Sequence, residues 1–86
     1  MHLLVRQKVA DFAKWKPVYD DHLSARQKAG LTEVHLLRNI ENPNEVILLF
    51  SMENPDKAKA FAASDDLRQA MQKAGVSDKP DVYFLE

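Results

Sequence analysis

Two apolar runs in the middle of the chain most constrain its fold. Residues 32–40 and 45–52 are together hydrophobic at ten of seventeen positions, and the turn-forming segment Glu41-Asn42-Pro43-Asn44 separates them. They predict a β-hairpin whose strands are buried on both faces, because a strand with one wet face alternates apolar and polar residues. Helices of the same chain can cover one face. In a chain of 86 residues the other face needs a second chain, so we expect a homodimer formed through the sheet.

The segments around this hairpin complete a βαββαβ order. Pro17 fits the first turn of a helix better than an interior turn, so we expect a short turn over 11–15 and a main helix over 16–29 that ends at Gly30. On the next helix we expect Ala60 and Phe61 to face inward. The remaining predicted elements are a first strand over 2–9, helices over 56–63 and 65–74, a linker over 76–80 and a last strand over 81–86.

This order is typical of an α+β ferredoxin-like sandwich. In that architecture two helical segments cover one face of a four-stranded antiparallel sheet. A length of 86 residues predicts one domain over residues 1–86. A domain of this size buries only about 60% of its unfolded surface, which also favours a dimer.

Composition argues against several classes of function. The net charge of −1 lacks the positive patch of a nucleic-acid binder, and no apolar run reaches the length of a membrane span. There is no cysteine, and the three histidines lack metal-ligand spacing. The two glycines, Gly30 and Gly75, form no phosphate loop. We therefore expect a cytoplasmic protein without cofactor, metal, nucleic-acid partner or membrane contact.

The helical segment 11–30 carries the strongest indication of a functional site. At about 100° per residue, one stripe and its edge collect aromatic and polar side chains, namely Phe12, Trp15, Tyr19, His22, Leu23 and Arg26. Four of these six carry hydrogen-bonding groups, where a plain core helix would use Leu, Ile or Val. The stripe therefore predicts the wall of a pocket between the first helix and the sheet.

Each residue of this wall has a chemical role and a simpler alternative. His22 is the candidate general acid or base, and the alternative is a solvated histidine beside Asp20 and Asp21. Arg26 is suited to hold a carboxylate or phenolate, or its stem covers the sheet edge while its head meets water. Trp15 and Tyr19 suit an aromatic ligand, and the alternative is that they anchor the helix in the core.

Two arginines lie within apolar strands and are further candidates for binding substrate. Arg6 and Arg38 are rarely buried types, so one of them pointing into the pocket would meet an anion. The alternative is a charge at the end of a strand, or an ion pair with Glu33, Glu45 or a carboxylate of the partner chain. For His35, a hydrogen-bonded or interface role is the better interpretation.

The chain resembles the dimeric α/β-barrel superfamily, and most closely small bacterial proteins related to the antibiotic-biosynthesis monooxygenases. The resemblance rests on Asp11-Phe12, Trp15-Lys16, Arg26, Gly30, the hairpin Asn42-Pro43-Asn44-Glu45-Val46, Ala60-Phe61, Ser64-Asp65-Asp66-Leu67 and the terminal strand. It implies two sheets packed face to face in a homodimer.

The resemblance also sets expectations about the site. Related quinone-forming and haem-degrading enzymes typically use an Asn on the first strand and a Trp, or a His for haem, in the second helical region. This chain has Arg6 or Lys8 on that strand, and neither Trp nor His between Asn54 and Gly75. We therefore expect no haem ligation by that route.

Two functions remain open on these grounds. The first is a cofactor-independent enzyme of isomerase, cyclase or monooxygenase type that acts on a small aromatic or anionic metabolite. The alternative is a non-catalytic dimeric module that binds a metabolite or serves assembly, because the sequence carries no strong catalytic motif.

Overall fold

Strands and helices alternate along the chain in two similar halves. The computed structural model describes residues 1–76 and 79–86. Its elements are β1 (His2–Lys8), α1 (Phe12–Asp21), α2 (Leu23–Lys28), β2 (Leu31–Arg38), β3 (Glu45–Met52), α3 (Pro55–Ala62), α4 (Asp65–Ala74) and β4 (Asp81–Leu85). Residues 77 and 78 of the predicted linker lie outside the described residues, while Val76 forms an isolated bridge with Val9.

The four strands form one antiparallel sheet in the order β2-β3-β1-β4. Val5 on β1 lies opposite Leu48 on β3 and opposite Val82 on β4, which aligns the three strands. Sheet and helical segments together confirm the α+β ferredoxin-like fold that the sequence predicts.

The two faces of the sheet differ in how well this chain covers them. Leu3, Leu48 and Phe50 point toward the helices and are buried. The alternate residues Leu4, Ile47 and Leu49 are only half-buried, as expected from the alternation of side chains along a strand. On the flanking strands of that second face, Leu37 is 54% exposed and Tyr83 is 52% exposed. The apolar second face predicted for β3 is present, and in the described chain it lies open. We call it the outer sheet face.

The first helical segment departs from its predicted boundaries. Asp11 caps it by accepting the backbone N–H of Ala13 at 2.9 Å, so α1 begins at Phe12 rather than at residue 16. The N–H of Phe12 also donates to the side-chain oxygen of Asn44 at 3.0 Å, which ties the helix start to the hairpin. Pro17 lies inside α1, and the chain breaks at His22 instead. The predicted single helix over 16–29 is therefore wrong, because the Asp11 cap and the Asn44 contact outweigh the cost of an interior proline.

The second helical pair lies within one residue of its predicted bounds, and capping residues set its ends. Asn54 caps α3, Ser64 caps α4, and Gly75 ends α4 in the left-handed conformation at φ 78°. The predicted inward position of Ala60 is wrong. Ala60 is exposed and Ala58 is buried, because the inward face of α3 passes through Ala58 and Phe61 at a spacing of three residues.

Candidate functional site

A cavity of about 380 Å³ lies between the helices and the inner face of the sheet. Val5, Leu48 and Phe50 form part of its floor. Trp15 and Met71, from α1 and α4, form part of the opposite wall. The predicted pocket between the first helix and the sheet therefore corresponds to a space of the size that small-molecule sites usually have.

Aromatic rings line the α1 side of this cavity. Trp15 is 2% exposed and its ring stacks on that of Tyr19 with centroids 4.7 Å apart. Phe12 continues the row, with its ring centroid 5.6 Å from that of Trp15. Trp15 thus belongs to the core and to the cavity wall together, so the two interpretations from the sequence do not exclude each other.

Arg26 is a buried cation at the same wall. It is 6% exposed, and its guanidinium carbon lies 3.7 Å from the centre of the Tyr19 ring. Its Nη1 donates to the backbone carbonyl of Tyr19 at 2.6 Å, which places a positive charge at the carbonyl end of α1. Within residues 1–76 and 79–86, it forms no ion pair with a carboxylate. The direct contacts of the guanidinium among the described residues are therefore a carbonyl and a ring face.

Tyr19 uses its hydroxyl away from this cation. The phenol donates to Oε1 of Glu33 on β2 at 2.8 Å. Burial raises the pKa of the Tyr19 phenol above its ordinary value, and the hydrogen bond to Glu33 raises it further. The phenol proton is thus hydrogen-bonded to Glu33, and Arg26 contacts the ring of Tyr19 rather than its hydroxyl.

His22 occupies the break between α1 and α2, where it lines the cavity. Its Nε2 lies 2.9 Å from Oδ2 of Asp66 on α4, and its ring stacks on Phe61 with centroids 5.7 Å apart. A carboxylate only accepts hydrogen bonds, so we assign the proton of this contact to Nε2. In the neutral ring, Nδ1 is then left with a free lone pair. The structure thus brings Trp15, Tyr19, His22 and Arg26 to one cavity.

Two of the candidate arginines lie elsewhere. Arg6 points to the outer sheet face, because its neighbours Val5 and Gln7 point to the cavity. There it pairs with Glu45 at 2.9 Å and Asp81 at 3.0 Å, and it holds the pKa of Glu45 below its ordinary value.

Arg38 lies at the end of β2, over the ring of Phe12 at 3.9 Å, and donates from Nε to the carbonyl of Pro43. Neither Arg6 nor Arg38 lines the cavity. His35 lies on the exposed outer sheet face opposite Leu49.

Gln7 is a polar residue of the cavity floor that the sequence pattern did not indicate, and Ser64, Asp65, Arg68 and Lys79 are further polar residues of the lining that were not predicted. Gln7 is 6% exposed and lines the floor. Arg6, Gln7 and Lys8 are all polar, so the pattern did not indicate which of them points inward. Its buried neighbour in register, Val46, was the available signal, but using it required the β1–β3 register.

Metal sites and membrane-spanning helices are both absent from the described residues. The described residues contain no group of three or more His, Cys, Asp or Glu side chains placed to hold a metal ion. Among the helices of residues 1–76 and 79–86, none is long and apolar enough to cross a bilayer.

Several solved structures have the same fold as this chain. A protein from Bordetella bronchiseptica that is named for the antibiotic biosynthesis monooxygenases, without an established activity, is 20% identical, with 95% of this chain and 90% of that chain covered at a TM-score of 0.77. A second, from Caulobacter crescentus, is 22% identical over 98% and 85% at a TM-score of 0.71. SnoaB of Streptomyces nogalater, a cofactor-independent oxygenase, is 13% identical over 99% and 91% at 0.72. Comparison with protein-family models and with curated proteins finds no match.

These likenesses extend over nearly the whole chain. At 13% to 22% identity they show the fold. The chain thus has the ferredoxin-like fold found in the antibiotic-biosynthesis monooxygenases.

The raised pKa of the Tyr19 phenol predicts how folding stability changes at alkaline pH. The chain has two tyrosines, so Tyr83→Phe leaves Tyr19 as the sole reporter of tyrosinate absorbance. Above about pH 10 the unfolded chain loses its tyrosine proton, whereas the folded chain keeps the proton of Tyr19. Folding stability must therefore fall as pH rises in this range. We expect tyrosinate absorbance of the variant to appear only together with the loss of folded circular dichroism.

The control for this measurement is Tyr19→Phe, whose stability should decline less steeply above about pH 10. Ionisation of Tyr19 in a chain that is still fully folded, at the pH of an ordinary tyrosine, would contradict the burial and the bond to Glu33.

Proposed function

We propose that this chain is a cofactor-independent enzyme that removes a proton from a small aromatic anion held in the cavity. The observation that carries the proposal is Arg26, a buried cation without a carboxylate partner among the described residues, on the wall of an apolar cavity that also contains His22. Burying an unpaired charge costs stability. A ligand anion that pairs with Arg26 would offset this cost.

Arg26 and the rings beside it would bind and orient the substrate. A guanidinium donates in a planar fork that matches a carboxylate or phenolate. Trp15 and Tyr19 present flat apolar area next to it, which suits an aromatic body. Arg26 would also stabilise negative charge that develops when the substrate loses a proton.

His22 would accept that proton. Oδ2 of Asp66 lies 2.9 Å from Nε2 and would accept its proton in a hydrogen bond, which leaves Nδ1 as the base. The carboxylate of Asp66 would also stabilise the imidazolium that forms. Proton removal is the first step shared by isomerases, cyclases and oxygenases that act without a cofactor. The likeness to SnoaB, a cofactor-independent oxygenase, favours an oxygenase among the three. In such a reaction molecular oxygen would be the co-reactant, since it accepts electrons from the deprotonated aromatic substrate.

We further propose that the enzyme is a homodimer formed through the outer sheet face. Leu4, Ile47 and Leu49 form an apolar centre there, with Leu37 and Tyr83 exposed on the flanking strands. Arg6 is already neutralised by Glu45 and Asp81 of its own chain. A second copy can therefore cover this face without burying an unpaired charge. The cavity lies on the opposite side of the sheet, so the dimer leaves it accessible.

The test of catalysis is turnover of a panel of carboxylated aromatic quinols and lactones, followed by absorbance and oxygen uptake. His22→Ala should lower kcat by about 10²-fold to 10⁴-fold, because it removes a general base. Asp66→Asn should cause a smaller loss and shift the pH profile, since it changes the partner of His22. The matched controls are His2→Ala and Asp56→Asn, at exposed positions outside the cavity, and they should retain full activity.

Equal turnover by wild type and His22→Ala would contradict the role of His22. Binding of the panel without any turnover would instead support the non-catalytic alternative, a dimeric module that binds a metabolite.

The dimer has a separate test by light scattering. The wild-type chain should give twice the 9.8 kDa of one copy. Leu49→Glu should give 9.8 kDa, because it buries a carboxylate at the centre of the apolar face. Ala60→Glu, at an exposed position on α3, should remain dimeric. A wild-type mass of one copy at micromolar concentration would overturn the dimer.

A further inference from the structure

The segment over residues 54–75, which contains α3 and α4, is fixed to the rest of the chain at its two ends. We call it the α3–α4 segment. Just before it, the backbone N–H of Glu53 donates to the carbonyl of Gly30 at 3.0 Å. At its end, the carbonyl of Gly75 accepts the N–H of Ala10 at 2.8 Å. Both ends are therefore held by backbone hydrogen bonds to the first half of the chain.

Burial within the α3–α4 segment falls from its ends toward its middle. Ala58, near the start, is 0% exposed, and Ala74, near the end, is 7% exposed. The apolar side chains of the middle are only half-buried, although they line the cavity, namely Phe61, Leu67, Ala70 and Met71. The ends of the segment are thus packed, whereas its middle is separated from the sheet by the cavity.

His22 contacts the middle of the segment from both of its helices. Nε2 of His22 lies 2.9 Å from Oδ2 of Asp66 on α4, and the imidazole stacks on the ring of Phe61 on α3. Among the side-chain hydrogen bonds of the described residues, that of Asp66 alone joins the α3–α4 segment to another part of the chain. A further polar contact places Nζ of the exposed Lys59 5.6 Å from the ring centre of Phe84.

We propose that the α3–α4 segment is a lid that opens about its two fixed ends, and that the contact of Asp66 with His22 is the latch that closes it. The backbone of Gly75 has a φ of 78°, a conformation that glycine adopts without strain. Opening breaks the latch and the half-buried contacts of the middle, while the backbone bonds at the two ends remain. Few buried contacts and one side-chain hydrogen bond are the features of an element that opens before the whole domain unfolds.

The helices of the lid are built to stay intact when it opens. The caps of α3 and α4 are Asn54 and Ser64, and both lie within the segment. Asp65 pairs with Arg68 of the same helix at 3.1 Å. These contacts do not involve the sheet, so opening leaves them in place. The lid is therefore a hinged body of the kind that gates access to a cavity.

The lid can be tested without a substrate, because the chain contains no cysteine and one introduced thiol reports its own exposure. Leu48→Cys places the thiol on the cavity floor, and Met52→Cys places it outside the cavity on the same face of β3. The native side chains at these positions are 3% and 7% exposed. Labelling with N-ethylmaleimide, followed by mass spectrometry, should be at least about tenfold faster at position 48, because the lid opens more often than the domain unfolds. The rate at position 48 should also change little in low urea, since lid opening exposes less surface than unfolding.

The latch is tested in the Leu48→Cys background. Asp66→Ala should speed labelling about tenfold, because it removes one hydrogen bond of the closed state. Asp66→Asn keeps an acceptor oxygen and should speed it less. The matched control is Asp65→Ala, because Asp65 occupies the same helical turn and pairs only within α4. It should leave the labelling rate unchanged.

Three results would overturn the proposal. Equal rates and equal urea dependence at positions 48 and 52 would show that only unfolding of the domain exposes either thiol. Labelling at position 48 as fast as that of free cysteine would show a cavity that needs no opening. The same rate in Asp66→Ala as in its parent would show that Asp66 is not the latch. If Leu48→Cys does not fold, Leu3→Cys takes its place, since Leu3 is also 3% exposed and lines the cavity. None of these results depends on turnover, so the lid and the proposed function can fail separately.

Discussion

The contact of Arg26 with Tyr19 is the interaction on which the site depends. The guanidinium donates to the carbonyl of Tyr19 and lies on the ring of the same residue. One side chain of α2 therefore contacts both the last turn of α1 and its aromatic wall. The break at His22 makes this possible, because it lets α2 turn its arginine back over the last turn of α1. The phenol of Tyr19 then reaches across to Glu33 and fixes α1 to β2.

The side chains of the helices and of the sheet do not fill the space between them. The described helices and the sheet enclose about 380 Å³ between them. A small domain gains little from a buried cation without an ion pair, since burying its charge lowers stability. Natural proteins retain such costs mainly at sites that bind or react.

The fold was predictable from local patterns, and the site only in part. The hairpin and the caps at Asn54 and Gly75 follow from turn and capping chemistry that acts within a few residues. The start of α1 differs from the prediction because Asp11 caps the helix at Phe12, whereas Pro17 alone favours a later start. The contact of Asn44 with Phe12 joins residues 32 apart and was not visible in the sequence.

For the functional side chains, too, local patterns predict only part of the arrangement. Helical periodicity was enough to bring Trp15, Tyr19 and His22 together on one stripe. The partner of His22 is 44 residues away on α4, so no local pattern indicates it. Gln7 lies between two charged residues, and its inward direction depends on the register of β1 with β3. Local sequence thus predicts the wall of the cavity, while tertiary pairing determines its floor and the partner of its base.

We propose above all that Arg26 binds the anion of an aromatic ligand inside this cavity. The most direct measurement is a crystal structure of the protein with 2-naphthoate. We predict the carboxylate within hydrogen-bonding distance of the Arg26 guanidinium, with the rings between Trp15 and the floor formed by Val5 and Leu48. A structure in which the side chains close the cavity, or in which naphthoate lies only on the outer sheet face, would contradict the claim.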